Sequence, residues 1–273
     1  MKRFAIAGAA LAALFAFPAA SQEFEPDVFV GIDADVFILG ELHDNPDHHL
    51  RQADLIGKIE PRAVVFEMLT AEQAEIANKM GRVDPDAVGW AQNGWPDFSM
   101  YAPVFEASEG GEIYGGMLGR EVVRRAFSEP PKELFEELWT GAGDPPQFGL
   151  DAALPPEQQE RREEEQMEAH CGALPENILP GFVSAQRLRD AALAAQVLAA
   201  FEATGGPVVL ITGNGHARQD WGVPALLRAA APDLTVASLG QYEGATPDHA
   251  DAFQAVALST APEREDPCAA FQK

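Results

Sequence analysis

The chain has 273 residues, of which 19 are basic and 43 acidic, giving a formal charge of −24 at neutral pH. Such an acidic surface repels polyanions, which argues against nucleic acid or an anionic membrane face as a partner. Hydrophobic residues make up 47% of the chain, enough for the core of one large domain or of a domain with a substantial insertion.

The first 21 residues have the pattern of a secretory signal. Lys2 and Arg3 precede an apolar run from Phe4 to Phe17, which is shorter than the roughly 20 residues of a membrane-spanning helix, and small residues follow it. We predict cleavage after Ser21, which would remove two basic residues and no acidic one and change the charge from −24 to −26. No cysteine stands directly after the cleavage site, so we expect residues 22–273 to form a single periplasmic or secreted domain without a lipid or transmembrane anchor.

Apolar runs and turn residues predict six strands, at 35–40, 63–66, 112–114, 207–212, 234–239 and 252–258. The run Asn45-Pro46-Asp47 predicts a helix start after the first strand, a second helix is predicted over 71–80, and a third begins at Arg120. Strands separated by helices favour parallel pairing, hence an α/β domain with a mostly parallel sheet flanked by helices. The last two strands are candidates for an antiparallel edge.

Between residues 119 and 205 the pattern becomes helical and very polar, and we predict a helical insertion that caps the sheet. Its segment 186–190 is typical of an amphipathic helix whose charges could reach the pocket, although a surface position is the favoured interpretation. The two cysteines, Cys171 and Cys268, reach an oxidising compartment if the signal is used, so we predict a disulfide between them. Closing a loop of this length is worth at most about 4 to 5 kcal/mol.

Two Gly-x-x-His tetrapeptides, at 40–43 and 213–216, each follow a predicted strand. His43, Glu67, Arg120 and His216 lie just after four separate strands, and ligands bind beyond the carboxyl ends of parallel strands. We therefore expect these side chains to converge at one sheet edge. Glu41 joins them if it faces the same side as His43.

This residue set permits more than one chemistry. Two imidazoles with one or two carboxylates suit Zn, Mn or Fe, and the same groups can perform acid/base catalysis while an arginine holds an anionic oxygen. In the structural alternative, each histidine caps a helix or bonds a backbone carbonyl. For a haem axial ligand the candidates are Tyr101, His170 and Tyr242. His48 and His49 are expected at the surface of the first helix.

Several blocks together resemble the ChaN family, which is described as haem-binding and iron-regulated and belongs to the Tiki, TraB and erythromycin-esterase superfamily. The blocks are 39–44, 65–68, 95–101, 185–190 and 212–218. The resemblance implies an α/β domain with a helical subdomain, a haem site shared across a homodimer, and a role in haem or iron uptake in contact with membrane uptake machinery. It also implies that Glu41, His43, Glu67 and His216 form the site, with Arg120 beside them.

Three hypotheses follow. The first is a non-enzymatic haem-binding protein, in which Arg120, Arg187 or Arg218 anchors a propionate and His43 or His216 lies beside the haem. The second is a hydrolase acting on an ester or amide, either with Mn or Zn held by His43, His216 and Glu67 or with Glu and His alone. The third is a partner-binding module with a vestigial site.

Overall fold

A computed structural model describes residues 24–266, 268 and 269. The predicted signal segment 1–21 lies outside the described residues. A six-stranded sheet in the order β3-β2-β4-β1-β5-β6 forms the centre of the molecule. The strands are β1 (Val36–Glu41), β2 (Ala63–Phe66), β3 (Glu112–Gly115), β4 (Val208–Gly213), β5 (Val236–Glu243) and β6 (Ala255–Ser259).

Within the described ranges the helices fall into two groups. Those of the first half are α1 (Pro26–Val30), α2 (Pro46–Ile59), α3 (Ala71–Met80) and α4 (Phe98–Ala107). Those of the second half are α5 (Arg120–Arg125), α6 (Pro131–Leu138), α7 (Pro156–Ala169), α8 (Leu179–Thr204), α9 (Asn214–Ala217) and α10 (Val223–Ala230). The helix start predicted at Asn45 is confirmed, because its side chain accepts a hydrogen bond from the Asp47 amide.

The predicted α/β class is confirmed, and each of the six predicted strands is present. The expectation of an antiparallel edge is wrong, because β5 pairs in parallel with β1 and β6 pairs in parallel with β5. Helix α10 returns the chain between β4 and β5. Residues 244–254, which include a 3-10 helix at Ala250–Ala252, return it between β5 and β6. Each connection brings the chain back to the starting edge of the sheet, so the next strand runs in the same direction.

Two separate hydrophobic clusters cover the two faces of the sheet. One contains residues of α1 to α4, and the other contains residues of α6, α8, α9 and α10. Every residue of β1 and β4 is buried, as expected for central strands of a parallel sheet with helices on both sides. Both strands accordingly begin as uninterrupted apolar runs.

The order of the strands places the switch point of the sheet between β1 and β4. The chain proceeds from β1 to β2 and β3 on one side, then returns to β4 and continues to β5 and β6 on the other. At such a reversal the connections leave the strand ends in opposite directions and open a crevice beyond their carboxyl ends. Glu41 and Gly213, which are register partners, mark the end of β1 and β4 at this crevice.

Four helices, α5 to α8, occupy the chain between β3 and β4, where the helical insertion was predicted. The long helix α8 packs on the sheet, and its buried residues include Leu188 and Val197. Just after α7, Cys171 lies with its sulfur 2.02 Å from that of Cys268, so the structure contains the predicted disulfide. None of the helices in the described part of the chain is long and apolar enough to cross a membrane.

Candidate functional site

The Glu41 carboxylate and the His43 imidazole form a hydrogen-bonded pair at the end of β1. Glu41 is the last residue of the strand, and His43 lies in the turn before α2. His43 Nδ1 is 2.7 Å from Glu41 Oε1, and the imidazole keeps 34% of its side chain exposed while the carboxylate side chain has none exposed. The imidazole therefore meets the crevice, whereas the carboxylate holds it from behind.

Three further side chains surround the Glu41 carboxylate. The Tyr101 hydroxyl donates to Oε1 over 2.6 Å, and Gln52 Nε2 donates to Oε2 over 2.8 Å. His49 Nε2 lies 3.5 Å from Oε2, and the His49 ring packs on Tyr101 with centroids 4.0 Å apart. All of these groups are buried. A carboxylate with this many donors is fixed in its charged form and in its position.

Burial by itself would raise the pKa of Glu41, but the neighbouring His43 and His49 hold it far below its usual range. For His43, desolvation opposes the charged form, yet the hydrogen bond to Glu41 and the charges of Glu67, Glu41 and Asp44 raise its pKa to about 9. At neutral pH the pair is therefore a carboxylate with an imidazolium.

A second histidine–carboxylate pair lies at the end of β4. His216, on the short helix α9, has Nδ1 2.6 Å from Asp190 Oδ1 on α8, and its Nε2 lies 3.6 Å from Glu67 Oε1. Glu67 follows β2, and its Oε2 accepts from the Thr212 hydroxyl at 2.7 Å and from the Gly213 amide at 2.8 Å. His216 is thus held between two carboxylates.

The charges of this second cluster support one another. Desolvation disfavours charge on Glu67, but His216, His43 and the two hydrogen bonds at the end of β4 lower its pKa. Desolvation likewise opposes protonation of His216, and the carboxylates of Glu67 and Asp190 outweigh it and raise the pKa of His216. Glu67 faces both imidazoles, so it is the carboxylate shared by the two pairs.

A cavity of about 480 Å³ opens beside this cluster, within the roughly 300–1,000 Å³ of small-molecule sites. Glu67 is at its polar end, Trp95, Met117 and Leu193 supply apolar wall, and Arg120 is at its rim. The Trp95 ring also meets the His43 ring edge-on at 4.9 Å. The cavity therefore combines a large apolar surface with the polar cluster.

The structure brings together five of the predicted site residues, namely Glu41, His43, Glu67, His216 and, at the cavity rim, Arg120. Tyr101 is also close, but its hydroxyl is committed to Glu41. Tyr242 lies apart in β5 and bonds His249 through its hydroxyl at 2.9 Å. His170 follows α7, with Nδ1 2.8 Å from the Gln166 carbonyl oxygen.

The alternative propionate anchors are engaged elsewhere. Arg218 is 2% exposed, stacks on Trp221 at 3.7 Å, and forms ion pairs with Glu165 and Asp220. Arg187 Nη2 donates to three carbonyl oxygens of residues 149–152. Of the three predicted anchors, Arg120 is the one that lines the large cavity.

Two sequence expectations about polar residues are wrong. His48 and His49 are both fully buried rather than at the surface, because the face of α2 that carries them packs against the ends of β1 and β6. His48 Nδ1 accepts from the Leu42 amide, and its Nε2 lies 2.9 Å from the Ser259 hydroxyl. Burial lowers the pKa of His48 to about 4.

The second error concerns Asp190, which was expected at the surface of an amphipathic helix. It is 3% exposed and bonds His216. Helix α8 lies on the sheet with nearly its whole circumference covered, so an aspartate within it needs a buried partner. Arg189, the adjacent residue, lines the large cavity and was likewise missed as a site residue.

Among the described residues no group of three or more His, Cys, Asp or Glu side chains is arranged to hold a metal ion. The imidazoles of His43 and His216 are instead hydrogen-bonded to Glu41 and Asp190, a geometry that orients both rings.

The model of the family described as "Haem-binding uptake, Tiki superfamily, ChaN" matches residues 32–227. The chain belongs to this family. The match runs from just before β1 into α10 and so includes all the residues of both histidine–carboxylate pairs. The ChaN resemblance drawn from the sequence motifs is thus confirmed.

Among solved structures, ChaN of Campylobacter jejuni, described with cofacial haem binding, shares the fold with a TM-score of 0.59 and 18% identity over 78% of this chain and 84% of that one. An erythromycin esterase aligns with a TM-score of 0.45 and 13% identity over 79% of this chain and 71% of that one. That weaker likeness supports no functional statement.

A 76-residue segment is 34% identical to the aspartate–tRNA(Asp/Asn) ligase of Mycobacterium tuberculosis, covering 28% of this chain and 12% of the ligase. The chain thus matches about an eighth of that relative's length. A segment of that extent carries no conclusion about activity.

Proposed function

We propose that this protein binds haem at the crevice beyond β1 and β4 and serves in haem or iron uptake outside the cytoplasm. The observation that carries the proposal is the cavity of about 480 Å³ with apolar walls and two arginines, whose Trp95 contacts the oriented His43 imidazole, in a chain of the ChaN family. Haem needs an apolar slot, a basic anchor and an axial ligand, and the residues present fit all three.

His43 is the proposed iron ligand. Its Nδ1 faces the Glu41 carboxylate at 2.7 Å, which leaves Nε2 for a ligand. Metal-binding histidines commonly donate their other ring N–H to a carboxylate, which fixes the tautomer and increases ligand basicity. Because the pKa of His43 is raised to about 9, iron must displace a proton, and haem affinity should increase as the pH rises from 6 to 9.

Arg120 and Arg189 are the proposed propionate anchors. Both line the cavity, and neither has a carboxylate within ion-pair distance among the described residues. Arginine suits the role because its planar guanidinium binds a carboxylate through two parallel hydrogen bonds. The bound haem would supply iron coordination, while the protein would orient the ring and exclude water from it.

The test is a hemin titration of the purified protein, followed by the Soret band, with His43→Gln, an Arg120→Met, Arg189→Met double variant, and His249→Gln as a control distant from the cavity. We expect saturable binding for the wild type and the control, an altered Soret position for His43→Gln, and at least tenfold weaker binding for the double variant. Wild-type protein without a saturable shift would refute haem binding, and an unaltered spectrum for His43→Gln would refute the ligand assignment.

The relative from Campylobacter jejuni is described with cofacial haem binding, so we extend the proposal to a homodimer with two haems stacked at a shared site. Light scattering with and without hemin, together with the titration end point, would test it.

The predicted signal at 1–21 and the disulfide between Cys171 and Cys268 support export to an oxidising compartment. Cell fractionation with and without residues 1–21 would test that location, and co-purification with membrane proteins would test contact with uptake machinery.

Hydrolysis of an ester or amide is the second candidate, because two histidine–carboxylate pairs flank Glu67. In this scheme His43, as an imidazolium, would protonate a leaving group or stabilise an oxyanion, and His216, oriented by Asp190, would accept a proton from water. Activity on a p-nitrophenyl ester that survives chelation and is lost in His216→Gln would support it. Activity that appears only with added Mn or Zn would favour the metal-dependent alternative.

A further inference from the structure

A second cleft, of about 180 Å³, lies between α7, α8 and α10. It shares no lining residue with the large cavity beside Glu67. Arg162 of α7 and Arg187 of α8 line it, with apolar walls from Phe148, Leu150, Leu154 and Leu226. We propose that this cleft is a separate binding site for a small monocarboxylate with an apolar body, of about the size of benzoate.

Arg162 is a buried cation with an unused hydrogen-bond donor. It is only 9% exposed, and its Nε has no hydrogen-bond partner within the described residues. Its guanidinium lies over the Trp221 ring at 5.1 Å, and its Nη2 makes one long bond of 3.4 Å to the Trp221 carbonyl oxygen. A buried charge with an unused donor is costly to the fold. An anion bound in the cleft would supply the missing acceptor.

The second arginine reinforces the positive charge. Desolvation lowers the pKa of both Arg162 and Arg187, and although the charge of Asp190 opposes this at both residues, the charge of Arg187 lowers the pKa of Arg162 further. Arg187 is also held in place, because its Nη2 donates to carbonyl oxygens of Gly149, Leu150 and Ala152 at 3.0 to 3.3 Å. Two like charges are therefore kept together in a chain of net charge −24.

The acidic residues nearby already have other partners. Asp190 is bonded to His216, and Asp220 and Glu165 each pair with Arg218 at 2.7 Å. Among the described residues no carboxylate lies within ion-pair distance of Arg162 or Arg187. Asp220 lines the cleft but is paired with Arg218, so Arg162 and Arg187 line the cleft without a carboxylate partner of their own.

The apolar walls define the rest of the ligand. An engineered cavity of roughly 150 Å³ lined by Leu, Ile and Phe binds benzene, so a cleft of about 180 Å³ has room for a small ring with a carboxylate. Four apolar side chains on the walls disfavour inorganic phosphate or sulfate, which have no apolar surface to bury. A carboxylate can accept two parallel bonds from one guanidinium.

The experiment is calorimetric titration of the full protein, free of haem, with benzoate, benzamide and sulfate. The variants are Arg162→Met, which keeps the apolar stem and removes the charge, and Leu154→Trp, which fills the cleft from a loop. Arg120→Met at the large cavity is the matched control. A hemin titration in saturating benzoate is run in parallel.

We expect saturable benzoate binding that is at least tenfold stronger than benzamide or sulfate binding. Arg162→Met should weaken it at least tenfold, as expected for loss of a hydrogen bond to a charged group, while Arg120→Met leaves it unchanged. Arg162→Met should also melt no lower than the wild type. If that variant does not fold, Leu154→Trp should still abolish benzoate binding.

Absent binding, equal binding of benzamide, or unchanged affinity in Arg162→Met would overturn the proposal. Competition between benzoate and hemin, or loss of benzoate binding in Arg120→Met, would also overturn it, because the carboxylate would then occupy the large cavity. Apart from the competition with hemin, none of these outcomes depends on whether the large cavity binds haem.

Discussion

Replacing Glu41 by glutamine should release His43 from its imidazolium form and destabilise the fold. The carboxylate accepts from Tyr101 at 2.6 Å and from Gln52 at 2.8 Å and contacts His43 at 2.7 Å, with no exposed side-chain surface. An amide has the same shape but no charge, and its NH₂ group must face a donor on one side. Removing one partner from a fully buried charged pair costs about 3 to 5 kcal/mol, and because His43 keeps 34% of its side chain exposed, solvent screening should reduce the cost here to about 1 to 3 kcal/mol.

The stability lost in Glu41→Gln should depend on pH. The pKa of His43 is about 9 in the folded protein, against an ordinary value of 6.5, so its stabilising contribution is complete below pH 6.5 and lost as the pH rises through 9. Glu41→Gln removes the main partner that raises this pKa, so the pKa of His43 should fall toward 6.5. The difference in free energy of unfolding between wild type and variant should therefore be larger at pH 6 than at pH 9.

Urea unfolding at pH 6, 7.5 and 9, with NMR titration of the His43 ring, measures both quantities. Asp44→Asn is the matched control, because Asp44 also raises the pKa of His43 but does so only through its charge. Its ion pair with Arg264 is partly exposed, so the control should lose no more than about 1 kcal/mol. A Glu41→Gln protein with unchanged urea stability and a His43 pKa still near 9 would refute the reasoning.

Three further outcomes are expected. Cys268→Ser should lower the free energy of unfolding by about 2 to 5 kcal/mol in urea, and an equal midpoint in wild type and variant would contradict a constraint from the 97-residue loop. Gly40→Ala should destabilise the fold by about 1 to 3 kcal/mol, because its Cβ would lie 2.7 Å from a carbonyl oxygen of β5. Gly57→Ala in α2 should instead stabilise the fold by roughly 0.5 to 1 kcal/mol, because no atom lies within 4 Å of its Cβ. Calorimetric melting of the two variants tests this difference. Because the pKa of His48 falls to about 4 on folding, its contribution to stability is present above pH 6.5 and is lost as the pH falls toward 4. His48→Gln should therefore reduce the loss of unfolding free energy between pH 6.5 and pH 4. An equal loss in wild type and variant would exclude this histidine as its cause.

The sequence predicted the sheet well because buried parallel strands are continuous apolar runs with glycine or a polar residue at their ends. The runs before Gly40 and Gly213 locate β1 and β4, and the residues after them fall at the crevice. The sequence did not predict the direction of the edge strand β6 equally well. The connection at residues 244–254 is short, and nothing in its composition distinguishes a hairpin from a crossover.

The sequence did not predict which polar side chains of the site are buried. His48 and His49 are adjacent in a helix with polar neighbours, which is typical of a solvated face, yet their partners come from β1, α4 and β6. Asp190 lies in a helix among arginines, and its partner His216 is 26 residues away.

The unequal exposure of the two histidines separates the two proposed functions. His43 keeps 34% of its side chain exposed and presents Nε2 to the crevice, whereas the His216 side chain is 9% exposed, with Asp190 at 2.6 Å from one nitrogen and Glu67 at 3.6 Å from the other. This difference in exposure is the reason for proposing His43 as the haem ligand and for assigning proton exchange, in the hydrolase hypothesis, to His216. On this basis His43→Gln should alter the hemin spectrum, and His216→Gln should leave that spectrum intact while removing any esterase activity. If His216→Gln changed the Soret band as strongly as His43→Gln, the division of roles between the pairs would be wrong, and both imidazoles would act on one ligand.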